Sequence, residues 1–156
     1  MVSPELLRRY PFFGELTADL LKAIAMFTEE QSYTTRDTLF EEGQPAQFFY
    51  LLIDGEIDLY YRSEKENRVE QRKELLAGVI NSGDVFAISG LIEPYVYTAT
   101  ARAAKNSRVL KIEAVALRNL MGKKCEMGYA LMRQIAKAAM ERLWYTRVQL
   151  AAAWAE

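Results

Sequence analysis

Two glycines that bracket a short apolar run constrain the fold of this chain more than any other feature. Gly43 and Gly55 each follow acidic or polar residues, at places where a tight turn needs the positive φ that glycine adopts most easily. Between them, Phe49–Ile53 is an apolar run of strand length that is rich in aromatic residues. The sequence therefore predicts short strands joined by tight turns.

This strand pattern extends over residues 29–113, where Gly, Asp, Asn and Pro separate short apolar runs. Residues 62–73 are charged and predict an exposed hairpin tip. Before the strands, Ser3 and Thr17 each stand where a helix cap is expected. We expect a mainly β, α+β fold, an antiparallel β-roll or jelly roll in a single domain of residues 1–156.

Helices are predicted on both sides of the roll, over residues 1–28 and 114–156. Residues 114–121 predict a short helix that ends near Gly122, and residues 124–154 predict a long one. At 1.5 Å per residue the long helix would measure roughly 45 Å. It either packs wholly on its own roll or, as we favour, forms a two-helix seam between the subunits of a homodimer. The predicted seam residues, spaced close to a heptad, are Met132, Ile135, Ala139, Leu143 and Leu150.

Composition excludes several classes of function. The 156 residues include no histidine, which excludes histidine metal clusters, histidine-ligated haem and an imidazole base. With no nucleophile–base or metal constellation, we expect neither an enzyme nor a bound metal. Cys125 is the single cysteine, which fits a reducing cytoplasm. The net charge of −1 and the short apolar runs predict no membrane partner.

The glycine and aromatic pattern, continued to the sequence Gly83-Asp84-Val85-Phe86, resembles the cyclic-nucleotide-binding domain family. This family includes the catabolite activator protein and the regulatory subunits of protein kinase A, and the resemblance spans roughly residues 11–139. It implies a ligand cassette in which a glutamate accepts a hydrogen bond from the ribose and an arginine pairs with the cyclic phosphate. It also implies dimerisation through the long C-terminal helix.

The cassette keeps its frame here but not its functional side chains. Ala87 stands at the first glycine of the cassette, Ile88 at the ribose-binding glutamate and Tyr97 at the phosphate-binding arginine. Isoleucine accepts no hydrogen bond, and tyrosine cannot neutralise a phosphate. We expect the affinity for cAMP and cGMP to fall by about two decades or more. The residues predicted to form this degenerate site are Phe86, Ala87, Ile88, Ser89, Gly90, Leu91, Tyr97, Thr98 and Ala99.

Three hypotheses for the pocket remain open on the sequence. It binds a less anionic small molecule through Tyr97, Tyr95, Thr98 and Ser89; it is filled by its own aromatic side chains; or it still holds a cyclic nucleotide through helix amides. No other cofactor is predicted. The chain reaches Glu156 within helical sequence and without a helix-turn-helix, so we expect no DNA binding. The sequence favours a sensor or regulatory module, with a ligand-free scaffold domain for protein–protein interaction as the alternative.

Overall fold

The structure is a computed structural model that describes residues 1–62 and 73–155. Within these residues, strands occupy the middle of the chain and helices occupy both ends. The strands are β1 (Thr28–Tyr33), β2 (Thr38–Phe40), β3 (Phe48–Asp54), β4 (Ile57–Arg62), β5 (Glu74–Ile80), β6 (Val85–Phe86), β7 (Thr100–Ala103) and β8 (Ser107–Glu113). The helices are α1 (Pro4–Arg8), α2 (Ala18–Met26), α3 (Ala114–Lys123) and α4 (Cys125–Ala155), with 3-10 helices at Pro11–Phe13 and Ile88–Leu91.

The strands form two antiparallel sheets that face each other, which confirms the predicted β-roll. One sheet has the order β1-β8-β3-β6 and the other has the order β2-β7-β4-β5. Strands β4 and β5 pair from Ile57 opposite Ile80 to Arg62 opposite Glu74. The predicted hairpin tip, residues 62–73, lies outside the described residues except at its two ends.

Strand β3 explains why its sequence is apolar without interruption, because it borders two separate cores. Phe49 and Leu51 face the α-helices, whereas Tyr50 and Leu52 face the opposite sheet. Successive side chains of a strand point to opposite faces, so a strand covered on both faces needs apolar residues throughout. We call the core between the two sheets the roll interior, and the core between the first sheet and the helices the helix-side core.

The two N-terminal helices begin where the sequence predicts. The Ser3 hydroxyl accepts a hydrogen bond from the Leu6 amide at 3.3 Å, and Pro4 occupies the first turn. The Thr17 hydroxyl accepts from the Leu20 amide at 3.4 Å. Each cap gives a hydroxyl acceptor to an amide of the first helical turn, although the Leu6 amide also donates to the Ser3 carbonyl at 3.1 Å.

The C-terminal helices differ from the prediction at one boundary. Helix α3 continues through Gly122 to Lys123, and α4 begins directly after Lys124. The corner is tight: a Cβ added at Gly128 would lie 2.8 Å from the carbonyl oxygen of Met121. The glycine that this corner requires is therefore Gly128, where the two helices touch.

Helix α4 is 31 residues long, and only its first half is buried. Met127, Leu131 and Ile135 enter the helix-side core, and Ile135 is only 3% exposed. Ile135 is therefore a core residue of its own chain rather than a residue free to contact a partner, which corrects its assignment to the predicted seam. Beyond it, Leu143 and Leu150 are 50% and 57% exposed.

Alanine substitutions at the two turn glycines will separate backbone strain from steric overlap. Gly43 and Gly55 have φ values of 89° and 104°. An added Cβ at Gly43 meets nothing within 4 Å, whereas at Gly55 it lies 2.7 Å from the Asn106 carbonyl oxygen. We expect Gly43→Ala to lower the free energy of unfolding by about 1–2 kcal/mol through strain alone. Gly55→Ala should cost about 1–3 kcal/mol more, because overlap with the backbone is added.

Urea denaturation followed by circular dichroism will measure both losses. Equal losses at the two positions would contradict the steric argument.

Candidate functional site

The cassette segment follows strand β6 and keeps the backbone shape that the resemblance implies. Ala87 has a φ of 59° and a ψ of 40°, a left-handed conformation that glycine adopts more easily than alanine. The 3-10 helix Ile88–Leu91 then turns the chain, and Gly90 packs closely on β3. A Cβ added at Gly90 would lie 3.2 Å from the Phe48 carbonyl oxygen. The backbone of this segment thus keeps a left-handed turn and a short helix at the positions where the resemblance places the cassette.

Aromatic rings fill the roll interior beside this segment. The rings of Tyr97 and Phe40 stack with centroids 3.9 Å apart and planes 20° apart. Phe40 also stacks on Tyr50 at 5.6 Å, and Tyr50 stacks on Phe86 at 5.1 Å. All four side chains are buried, and Phe40, the most exposed of them, is only 6% exposed. This stacked group, Phe40, Tyr50, Phe86 and Tyr97, is called the aromatic stack below.

The hydroxyl of Tyr97 ties the aromatic stack to the start of β3. It donates a hydrogen bond to the carbonyl oxygen of Phe48 at 3.1 Å and accepts one from the Phe48 amide at 3.2 Å. The backbone of the same segment is also paired, since the Tyr97 amide donates to the Gln44 carbonyl at 2.9 Å. Tyr97, which the resemblance puts in the arginine's place, is therefore bound inside its own protein.

No described residue brings a positive charge into the roll interior, where a phosphate would need one. Burial raises the pKa of the Tyr97 phenol, and burial likewise raises the pKa of Tyr50, so both are neutral near pH 7. Among the described residues, the fully buried polar side chains are those of Thr28, Thr100 and Ser107, and none of these is charged. A phosphate group in this space would lose its hydration without gaining an ion pair.

The polar residues proposed for a less anionic ligand do not converge on one point. Tyr97 lies in the roll interior, whereas Thr98 is exposed and Ser89 is half-buried on the 3-10 helix Ile88–Leu91. Tyr95 lies under the guanidinium of Arg118, with the Cζ atom 3.7 Å from its ring centroid. Their side chains therefore do not define one polar pocket.

Ile88 also faces away from the roll interior. It is half-buried and packs with the helix-side core, as does the buried Leu91. The remaining predicted site residue, Ala99, is partly buried at the edge of the aromatic stack. Of the predicted site residues, the structure brings together Phe86, Ala87, Tyr97 and Ala99 around the roll interior.

Sequence reasoning missed three residues that shape this region. Phe40 and Tyr50 complete the aromatic stack from β2 and β3, and although Tyr50 lies in the apolar run Phe49–Ile53, no local pattern places either residue beside Tyr97 or Phe86. Arg118 of α3 holds the cassette from outside, donating a hydrogen bond to the Gly90 carbonyl at 2.6 Å. The sequence clue for Arg118 is a cation between the apolar residues Leu117 and Leu120 of α3.

Removing the Tyr97 hydroxyl tests whether that side chain occupies the roll interior in solution. Tyr97→Phe keeps the stacked ring but leaves the Phe48 amide and carbonyl without this partner. We expect the free energy of unfolding to fall by about 1–3 kcal/mol. Tyr61→Phe is the matched control, because Tyr61 is 38% exposed, and it should change stability little. Identical chemical denaturation midpoints for the two variants would contradict the buried position of Tyr97.

Comparison with known proteins agrees with this geometry. Residues 30–124 match the family model of the cyclic nucleotide-binding domain. The chain is 30% identical over 118 residues to a cAMP-dependent protein kinase regulatory subunit from Colletotrichum orbiculare, covering 76% of this chain and 28% of that protein. It is 22% identical over 133 residues to a CRP-like cAMP-activated global transcriptional regulator from Mycobacterium tuberculosis, covering 85% and 57%. The chain thus spans about a quarter to somewhat over half of these relatives.

A solved structure is more similar still over its whole length. The crystal structure of a candidate cyclic nucleotide-binding protein from Geobacter metallireducens is 36% identical, with a TM-score of 0.77, covering 92% of this chain and 99% of that one. Within residues 1–62 and 73–155, no helix combines the length and apolar character needed to cross a bilayer. The match over more than half of the sequence, together with the shared roll, shows that this chain belongs to the cyclic nucleotide-binding domain family.

Proposed function

We propose that this chain is a regulatory domain of its family whose roll does not bind cAMP or cGMP with conventional affinity. The observation that carries the proposal is the position of Tyr97. In the resemblance it takes the place of the arginine that pairs with the cyclic phosphate, and its ring is 4% exposed and stacked on Phe40. The roll interior thus loses a cation and gains an aromatic ring.

The energy needed to admit a nucleotide supports this proposal. A purine ring and its ribose would have to displace at least Tyr97 and Phe40 from the aromatic stack. Exposing one such side chain costs about 1.5–3 kcal/mol, and the two hydrogen bonds on Phe48 would also be broken. A charge-assisted contact with the phosphate would offset part of this cost, but neither Tyr97 nor Ile88 supplies such a contact.

Isothermal titration calorimetry with cAMP and cGMP will test the proposal directly. We expect no dissociation constant tighter than roughly 100 μM, because the charge-assisted contacts are missing and the ring space is occupied. The cAMP-activated regulator from Mycobacterium tuberculosis serves as the positive control. A low-micromolar constant for this chain, lost in a Tyr97 variant, would overturn the proposal.

The exposed half of α4 supports a second part of the proposal, a homodimer formed through this helix. Ala139, Leu143 and Leu150 keep near-heptad spacing and are exposed, whereas Met132 is half-buried. Met140 and Trp154 add apolar surface to the same stretch, at 70% and 82% exposure. Two such helices paired around a two-fold axis would bury this surface symmetrically. The seam then begins near Met132, which also packs against the helix-side core, and lies roughly a quarter turn around α4 from Leu131.

Charges placed in this seam should dissociate the dimer. We expect light scattering at micromolar concentration to give a dimer for the wild-type chain and a monomer for Leu143→Glu with Leu150→Glu. Each glutamate would have to be desolvated on pairing. Val115→Glu on α3, where the native side chain is 56% exposed, is the control and should stay dimeric. A wild-type monomer at high concentration would remove this part of the proposal.

The alternative is a ligand-free scaffold domain that mediates protein–protein interaction. The filled roll interior and the exposed apolar half of α4 favour it as well. The two functions differ in one respect, since a regulatory domain changes its helix contacts when a ligand binds and a scaffold does not. A ligand that alters the light scattering of the wild-type chain would therefore favour the regulatory domain.

A further inference from the structure

A cleft separates the long helix from the edge of the roll, away from the aromatic stack. Its volume is about 560 Å³, and it lies between the β5–β6 region and the middle of α4. Protein sites for small molecules commonly have about 300–1,000 Å³. Phe12, Trp144 and Tyr145 provide aromatic surface, and Lys137 and Arg142 provide positive charge. The cleft therefore offers aromatic surface together with positive charge, whereas the described residues of the roll interior offer aromatic surface alone.

Arg142 is the key residue of this cleft. It is half-buried, and its Nη2 donates a hydrogen bond to the Val85 carbonyl at 2.7 Å. Strand β6 is the last strand of its sheet, so this carbonyl lies on a sheet edge that no described strand covers. A guanidinium has five N–H donors, and this bond uses one of them.

The charge of Arg142 is only partly balanced by its surroundings. The ion pairs among the described residues join carboxylates to Arg8, Arg62, Arg102 and Arg108 instead. Burial lowers the pKa of Arg142, and the nearby carboxylates of Asp84 and Glu141 oppose that shift without overcoming it. The Asp84 carboxylate also accepts a hydrogen bond from the Asn81 amide within its own turn, at 3.0 Å. An anion beside Arg142 would complete the pairing.

We propose that this cleft binds a small aromatic monoanion, a ring system that carries one carboxylate or phosphodiester group. The anionic group pairs with Arg142, with Lys137 at the same cleft, and the ring packs against Trp144 and Tyr145. A single negative charge fits better than two, because Asp84 and Glu141 also border the cleft. The site rests on the proposed function and deepens it, because it gives a regulatory domain with a filled roll a separate place for its ligand.

A ligand in this cleft would act directly on the long helix. The contact between Arg142 and Val85 holds the second half of α4 against the roll. A bound anion that pairs with the guanidinium would alter the hydrogen bond between Arg142 and Val85. The exposed apolar residues of α4 would then move with the helix. The signal would then pass from ligand to helix without passing through the cassette.

Two-dimensional NMR of the full chain tests the site with a matched pair of probes, 2-naphthoate and its neutral analogue 2-naphthamide. The chain has two tryptophans, Trp144 in the cleft and Trp154 at the helix end, and Trp154→Phe assigns their indole N–H signals. We expect 2-naphthoate to shift the Trp144 signal at millimolar concentration or below, with little shift of Trp154. The amide should bind at least about tenfold more weakly, as expected for loss of a charge-assisted contact.

Arginine variants on the same helix supply the second comparison. Arg142→Gln should weaken 2-naphthoate at least about tenfold, whereas the matched change at exposed Arg147 should not. Lys137→Gln removes a cleft cation but leaves the contact between Arg142 and Val85 intact, and it should weaken binding by a smaller factor. This variant tests the site even if Arg142→Gln fails to fold. Equal shifts with both probes, or no shift of Trp144 with either, would overturn the proposal.

Cyclic AMP belongs to the same chemical class and is titrated in the same way. Weak binding that shifts Trp144 and is lost in Arg142→Gln would support the cleft. Binding tighter than roughly 100 μM that ignores Arg142 and depends on Tyr97 would instead contradict the proposed function of the roll. The failures of the two proposals are thus distinguishable.

Discussion

The contact between Tyr97 and Phe48 is the interaction on which the rest of this structure depends. It joins the segment after the cassette to the first residue of β3, a strand that borders both cores. It also fixes the Tyr97 ring against Phe40, which places the aromatic stack between the two sheets. The position that the resemblance assigns to the phosphate-binding arginine is occupied here by a residue of the protein's own packing. The roll keeps its shape because a side chain occupies the space.

The cassette is held from outside as well as from inside. The Arg118 guanidinium donates a hydrogen bond to the Gly90 carbonyl and lies over the Tyr95 ring. Helix α3 therefore contacts the segment between β6 and β7 on the side away from the roll interior. Cation–π contacts of this kind contribute about 0.5–2 kcal/mol. With Tyr97 anchored inside and Arg118 outside, the segment between β6 and β7 has polar contacts on both faces. These contacts restrain the segment from two sides.

Local features of the fold could be predicted from the sequence, whereas contacts between distant residues could not. The turn at Gly55 and the cap at Thr17 depend on neighbouring residues, and both were correct. The pairing of Phe40 with Tyr97 joins residues 57 positions apart, and nothing local specifies it. Ile135 was misassigned because α4 carries two apolar faces, one spaced for the core and one spaced for a partner. Spacing alone does not say which face a residue near their boundary belongs to.

Strand β3 separates the two apolar cores by the thickness of a single sheet. On one side, Tyr50 touches the rings of Phe40 and Phe86; on the other, Phe49 packs near Phe12 beneath the helices. Close-packed interiors resist compression, so a change of volume on one side of the strand displaces the other. The two cores are so close that neighbouring residues of β3, Phe49 and Tyr50, belong to different ones. In this domain, the packing of the roll interior and the packing of the helices therefore both depend on the position of a single strand.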